Sequence, residues 1–209
     1  MQSAFCRIGV PAVERRLYDV PMRGDDPRTD AELVDACNRG GPDEAARAFE
    51  ALYRRHREFV LRVARRFTRD RDLALDVLQE TFAYLLRKFP PAGPGLVLTA
   101  RLQTLLYPVA KNTAISALRK ADRYAEPCET VLDELPAPPE PAPDEPIDAA
   151  VAGLSAERRE VVLLRFVDDL SLAEIAETLG VPLGTVKSRL HLAIKQLKED
   201  PRVKDLFEP

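Results

Sequence analysis

The chain has 209 residues, 45% of them apolar, enough for one or two compact domains each with its own core. No run of about 18 uninterrupted apolar residues occurs, which argues against a membrane-spanning helix. The net charge of −3 hides an asymmetry: residues 1–120 hold 21 Lys/Arg against 15 Asp/Glu, 121–148 hold 1 against 9, and 149–209 hold 9 against 10. Overall charge therefore excludes no partner, and local charge carries the information.

Residues 1–28 hold Pro11, Pro21, Gly24 and Pro27 among charges, with no basic start leading into a long apolar run. They are predicted to be a disordered N-terminal extension rather than a secretory leader, and a cytoplasmic protein is expected. Cys6, Cys37 and Cys128 are far apart, and neither His56 nor His191 clusters with them. Free thiols are predicted, with no metal site and no cofactor.

Helical signals begin at Thr29, which with Glu32 forms a capping box ahead of Leu33 and Val34; Gly40-Gly41 ends that helix. The next helix starts after Pro42 or Asp43 and carries Phe49, Leu52, Tyr53, Val60, Val63, Ala64 and Phe67 at helical spacing. Asp70 is the predicted cap of a third helix bearing Leu73, Val77, Leu78, Thr81, Phe82, Leu85, Leu86 and Phe89. Pro90, Pro91, Gly93, Pro94 and Gly95 then break the chain. A fourth stretch runs from Leu102 to Leu118 with Pro108 inside it, where a kink or a helix start is expected because proline removes a helical hydrogen bond. No strand-period alternation is present, so the fold class is all-α.

Residues 121–148 combine seven prolines (Pro127, Pro136, Pro138, Pro139, Pro141, Pro143, Pro146) with the acidic excess. They are predicted to be an extended acidic linker between two small helical domains, residues 29–120 and 149–209. Beyond it, helices are predicted at roughly 156–167 with Ser155 as cap, at 172–179 with Ser171 and Glu174 as a capping box, and at roughly 183–199.

The last two helices carry a helix-turn-helix signature. Ala176 is small where two helices must cross, Gly180 tolerates positive φ in the turn, and Val186 can face back to the first helix. The outward face then holds Thr185, Lys187, Ser188, Arg189, His191 and Lys195; from Gly184 to Lys198 there are four basic residues and no acid. That is the charge pattern of a helix lying in a DNA major groove.

At this point the chain resembles a known family. Residues 165–190, from Arg165 through Ser171 and Thr185 to Leu190, are similar to domain four of extracytoplasmic-function sigma factors of bacterial RNA polymerase, which reads the −35 promoter element. Asp76-Val-Leu-Gln79-Glu80-Thr-Phe82 is similar to the family's polymerase-docking segment, and residues 109–120 to its −10 reading and melting segment. The resemblance implies that Asp76, Gln79, Glu80 and Phe82 bind core polymerase at the β′ clamp helices, with a further contact of domain four to the β flap. It implies that Asn112 captures an extruded base while Lys111, Ser116, Arg119 and Lys120 contact DNA, and that an anti-sigma protein is a possible partner. The linker would span the two promoter elements, which lie about 70 Å apart. Leu105-Leu106 departs from the family's Trp-Leu, Ser116 stands where aspartate is common, and Leu192 stands where some relatives carry a basic residue.

Two other functions fit parts of the pattern: a stand-alone helix-turn-helix regulator, and a sigma-like decoy that does not open promoters. An enzyme is not expected. No phosphate loop or catalytic constellation is present, and Asp168-Asp169 falls in a turn where capping explains it.

Overall fold

A computed structural model of the chain describes residues 26–124 and 150–201. Most of the predicted N-terminal extension, most of the predicted linker, Cys6, Cys128 and residues 202–209 lie outside the described residues. The chain divides into two compact units, and every element described is helical.

The N-terminal unit holds four helices: α1 (Asp30–Arg39), α2 (Pro42–Arg65), α3 (Arg71–Leu86) and α4 (Leu102–Tyr124). The capping box at α1 forms as expected: Thr29 N–H donates to Glu32 Oε2 at 2.6 Å and Glu32 N–H donates to Thr29 Oγ1 at 3.3 Å. Gly40 ends α1 because its N–H returns to the Ala36 carbonyl at 2.8 Å, where a Cβ would meet that oxygen at 2.5 Å. Asp70 caps α3 by accepting from Asp72 and Leu73 N–H groups at 2.8 and 3.3 Å. The long α2 packs against α1, α3 and α4, so its buried residues Ala48, Leu52, Phe59, Val60, Val63 and Ala64 form the centre of this unit.

Two boundaries differ from expectation. Arg28, assigned to the N-terminal extension, is tied to α2: its guanidinium lies 3.4 Å from Glu44 and its carbonyl accepts from Arg55 at 2.8 Å. Helix α4 runs to Tyr124, into the stretch assigned to the linker. It begins at Leu102, the predicted start of the helical stretch, so of the two outcomes expected at Pro108 a helix start does not occur. Leu102, Leu106, Tyr107, Ala110 and Ala114 are all buried on either side of the proline. At about 1.5–3 kcal/mol for each large apolar side chain, that burial exceeds the ~3 kcal/mol a mid-helix proline costs.

His56 is a buried structural group. Its Nε2 lies 2.9 Å from Asp30 Oδ2, and Arg55 donates to Asp30 Oδ1 at 2.7 Å, so Asp30 joins the start of α1 to the middle of α2. Burial pushes the Asp30 carboxyl up, but the hydrogen bonds and charges of His56 and Arg55 together hold it below its ordinary value. A depressed carboxylate stabilises the fold above its unfolded pKa of about 4, and that contribution is lost as pH falls through the lower folded value. Asp30→Asn is therefore expected to cost about 1.5–3 kcal/mol at pH 7, and to flatten the fall of the urea midpoint below about pH 4. An unchanged midpoint at pH 7 would dismiss the Asp30 link as ornamental.

Cys37 is buried and unpaired, its thiol pushed up to about 11 by burial despite the nearby Arg28 charge. It is an inert core residue.

The C-terminal unit opens with a helical turn at 150–152, followed by α5 (Ala156–Phe166), α6 (Leu172–Leu179) and α7 (Leu183–Glu199). Its α5–α7 packing gathers Ala150, Leu154, Val162, Ala193 and Leu197, with Val151 and Leu190 against them. Ser155 stands at the N-cap of α5 as expected, but its side chain makes no cap hydrogen bond to the backbone.

Candidate nucleic-acid interface

The helix-turn-helix forms for the reasons visible in its residues. Ser171 N–H donates to Glu174 Oε2 at 2.7 Å and Glu174 N–H to Ser171 Oγ at 3.2 Å, fixing the start of α6. Gly180 adopts φ +64°, and Val181 N–H reaches back to the Ala176 carbonyl at 3.1 Å. This left-handed glycine with a returning hydrogen bond closes α6 and turns the chain into α7. Ile175 and Val186 are both fully buried, while Ala176 is half-buried. At the preceding turn Asp169 takes the left-handed φ of +54°, which aspartate tolerates, and the Arg165 guanidinium donates to the Leu170 carbonyl at 3.0 Å.

Helix α7 has one apolar stripe, Val186, Leu190, Ala193 and Leu197, facing the core. Opposite it, Lys187, Ser188, His191 and Lys195 are exposed, with Thr185 and Arg189 half-buried at the margins. All six predicted −35 residues thus lie off the core stripe, but not equivalently. The Ser188 hydroxyl donates to the Thr185 carbonyl at 3.0 Å, which leaves it as an acceptor. Arg189 sits beside Glu157 at the start of α5. The Glu157 carboxyl is held below its ordinary value by its own backbone N–H and the Ser155 hydroxyl, with Arg189 and Arg158 adding smaller electrostatic contributions.

In the N-terminal unit, Asp76, Gln79 and Glu80 form an exposed polar face on α3, with Val77, Leu78 and Leu85 turned inward. Glu80 pairs with Arg87 at 2.7 Å. Phe82 corrects the expectation: it is only 3% exposed, its ring edge-on to Phe49 at 6.3 Å and to Tyr53 at 4.7 Å between centroids. Its place on the Leu78–Leu85 side of α3 makes it a core residue rather than a contact for a partner.

On α4, Asn112, Ser116, Arg119 and Lys120 are exposed at spacings of four, three and one, while Lys111 is half-buried. An open groove between α3 and α4, about 720 Å³, is lined by Asp76, Gln79 and Glu80 on one wall and Ser116 and Lys120 on the other. Two sets of residues assigned separately therefore share one surface feature. Asn112, Lys111 and Arg119 do not line it.

Asn38 has a role that sequence reasoning missed. Its side-chain amide donates to the Leu96 carbonyl at 2.7 Å and its oxygen accepts from Leu96 N–H at 2.9 Å. This two-way clamp ties the segment before α4 to α1. Gly95 at φ +97° lets the chain approach, since a Cβ there would lie 3.0 Å from Asn38 Oδ1.

A glycine-closed helical pair whose second helix presents a basic outward face is the arrangement of the helix-turn-helix class of DNA-binding proteins. Comparison with known proteins narrows this. Residues 52–124 match the family model of Sigma-70 region 2, and 144–197 that of Sigma-70, region 4. The chain is 37% identical over 169 residues to the ECF RNA polymerase sigma factor SigL of Mycobacterium tuberculosis, covering 76% of this chain and 92% of that protein. It is 32% identical over 162 residues to the RNA polymerase sigma factor CarQ of Myxococcus xanthus, covering 75% and 91%. The match to the ECF RNA polymerase sigma factor SigE of Mycolicibacterium smegmatis, 31% identical over 169 residues, spans 76% of this chain and 63% of that protein.

Two solved structures share the fold. One is CnrH in complex with the cytosolic domain of CnrY (TM-score 0.57, 22% identity, 86% of this chain and 99% of that one). The other is the sigma factor RpoE with the anti-sigma factor NepR from Bartonella quintana (TM-score 0.52, 24% identity, 72% and 94%). The chain belongs to the extracytoplasmic-function sigma factors, non-catalytic initiation factors that direct RNA polymerase to promoters. No described helix is long and apolar enough to cross a membrane.

Proposed function

We propose a division of labour for promoter-directed initiation by this chain. The exposed face Asp76, Gln79 and Glu80 docks on the β′ clamp helices of core polymerase. Asn112 receives an extruded −10 base, with Lys111, Ser116, Arg119 and Lys120 along the strand. Helix α7 enters the major groove at the −35 element, and the C-terminal unit also meets the β flap. The acidic segment joins the two units along the polymerase surface. The protein works in the cytoplasm, where polymerase is, and an anti-sigma protein holds it inactive.

The observation that carries this reading is the face of α7. Its core stripe leaves an outward arc of Lys187, Ser188, His191 and Lys195, and no acid falls between Gly184 and Lys198. In a phosphate-lined groove, an acid on that arc would oppose binding while each base gains by releasing counterions.

Run-off transcription by core polymerase on a genomic fragment library tests it. New transcripts are expected only when the protein is added, and a chain with Asp76→Ala, Gln79→Ala and Glu80→Ala is expected to lose at least tenfold in core affinity, the equivalent of about 1.4 kcal/mol. Core binding with no transcript would support a decoy, and DNA binding without core binding a stand-alone regulator; either result defeats the proposal.

A further inference from the structure

We propose that Leu192 is a specificity-determining residue that reads the C5-methyl of a thymine in the −35 element. The inference rests on α7 being the −35 reader. Leu192 is 43% exposed, and among the described large apolar side chains it alone combines that exposure with a place on the outward side of α7. Leu183, the other exposed leucine of α7, falls seven residues before Leu190 and so shares the core-packed side. Leu192 lies one turn beyond Ser188, with Arg189 three residues before it and Lys195 three residues after.

A single exposed leucine is ordinary on a protein surface. On a helix seated in the major groove it is not, because the outward arc meets either phosphates or base edges. The only apolar group those edges present is the thymine methyl. Set against guanine O6/N7 or the adenine amino group, a leucine would displace water from a polar atom without replacing its hydrogen bond. Leu192 therefore selects for thymine and against purines at one position. The four residues from Ser188 to Leu192 advance about 6 Å along the helix and one base-pair step is about 3.4 Å, which puts that position about two steps from the base pair nearest Ser188.

The test uses holoenzyme, made from core polymerase and the full chain, on a promoter identified by run-off transcription. Each −35 thymine is replaced singly by deoxyuridine, which removes the methyl and nothing else. One replacement is expected to lower open-complex formation about fourfold, the effect of uncovering one methyl-sized group. The Leu192→Ser chain is expected to respond equally to thymine and deoxyuridine there. In a randomised −35 selection, Leu192→Gln is expected to shift that position from thymine to adenine. Equal activity on every deoxyuridine template, or a Leu192→Ser chain that keeps the fourfold difference, overturns the inference while leaving the −35 assignment intact. Indifference to scrambling the whole −35 element overturns both.

Discussion

Replacing Phe82 with alanine is expected to destabilise the N-terminal unit by about 3–5 kcal/mol, the range for emptying a buried phenylalanine site. The ring is held edge-on by Phe49 and Tyr53, and Phe49 in turn meets Phe89 at 6.3 Å. Such aromatic pairs add about 0.5–1.5 kcal/mol beyond area alone. One substitution thus loosens α2 and α3 together. Glu80→Ala is the informative contrast. Its ion pair with Arg87 joins two side chains that are each 57% exposed, so its removal should change stability by less than about 1 kcal/mol. Urea unfolding separates the roles: a large midpoint shift for Phe82→Ala and a negligible one for Glu80→Ala. Should Phe82→Ala keep its midpoint yet lose polymerase, the residue must leave the core to touch its partner.

The second large effect is expected on DNA. A chain carrying Lys187→Ala, Arg189→Ala and Lys195→Ala should fold normally, because none of the three lies in the core stripe of α7. Each cation that meets a phosphate contributes about one to the slope of log affinity against log salt, so the slope should fall by about three. Arg189 is the least accessible of the three, half-buried where Lys187 and Lys195 are exposed. Its separate loss should therefore change the slope less than that of Lys195. Affinity titrations of holoenzyme on a −35 duplex between about 50 and 200 mM salt decide this. An unchanged slope would remove α7 from the groove.

Much of this could be read in the sequence because it depends on neighbours. The Thr29–Glu32 and Ser171–Glu174 boxes and the left-handed Gly180 are complete within six or fewer residues, and each formed as expected. The failures came from elsewhere. Phe82 was grouped with Asp76, Gln79 and Glu80 through a motif, although its spacing from Leu78 and Leu85 places it on the buried side. Pro108 argued locally for a kink or a helix start; the start lies at Leu102, and packing on both sides of the proline carries the helix through. Asn38 and Leu96 are 58 residues apart, and no local pattern announces a clamp of that reach. The groove between α3 and α4 was likewise invisible, since it exists only once two helices lie side by side.

The aromatic cluster around Phe82 has an optical consequence. The chain has no tryptophan, and all five tyrosines precede residue 125. Tyr53 is packed on Phe82 and Tyr107 is 2% exposed, so their emission reports burial within the N-terminal unit, and no tyrosine falls in the helix-turn-helix unit. The helix-turn-helix unit is dark at that wavelength yet contributes fully to far-ultraviolet circular dichroism. Following both signals through one thermal melt resolves the two units in the intact protein, without cutting it. The tryptophans of an added polymerase can then be excited selectively against a silent background.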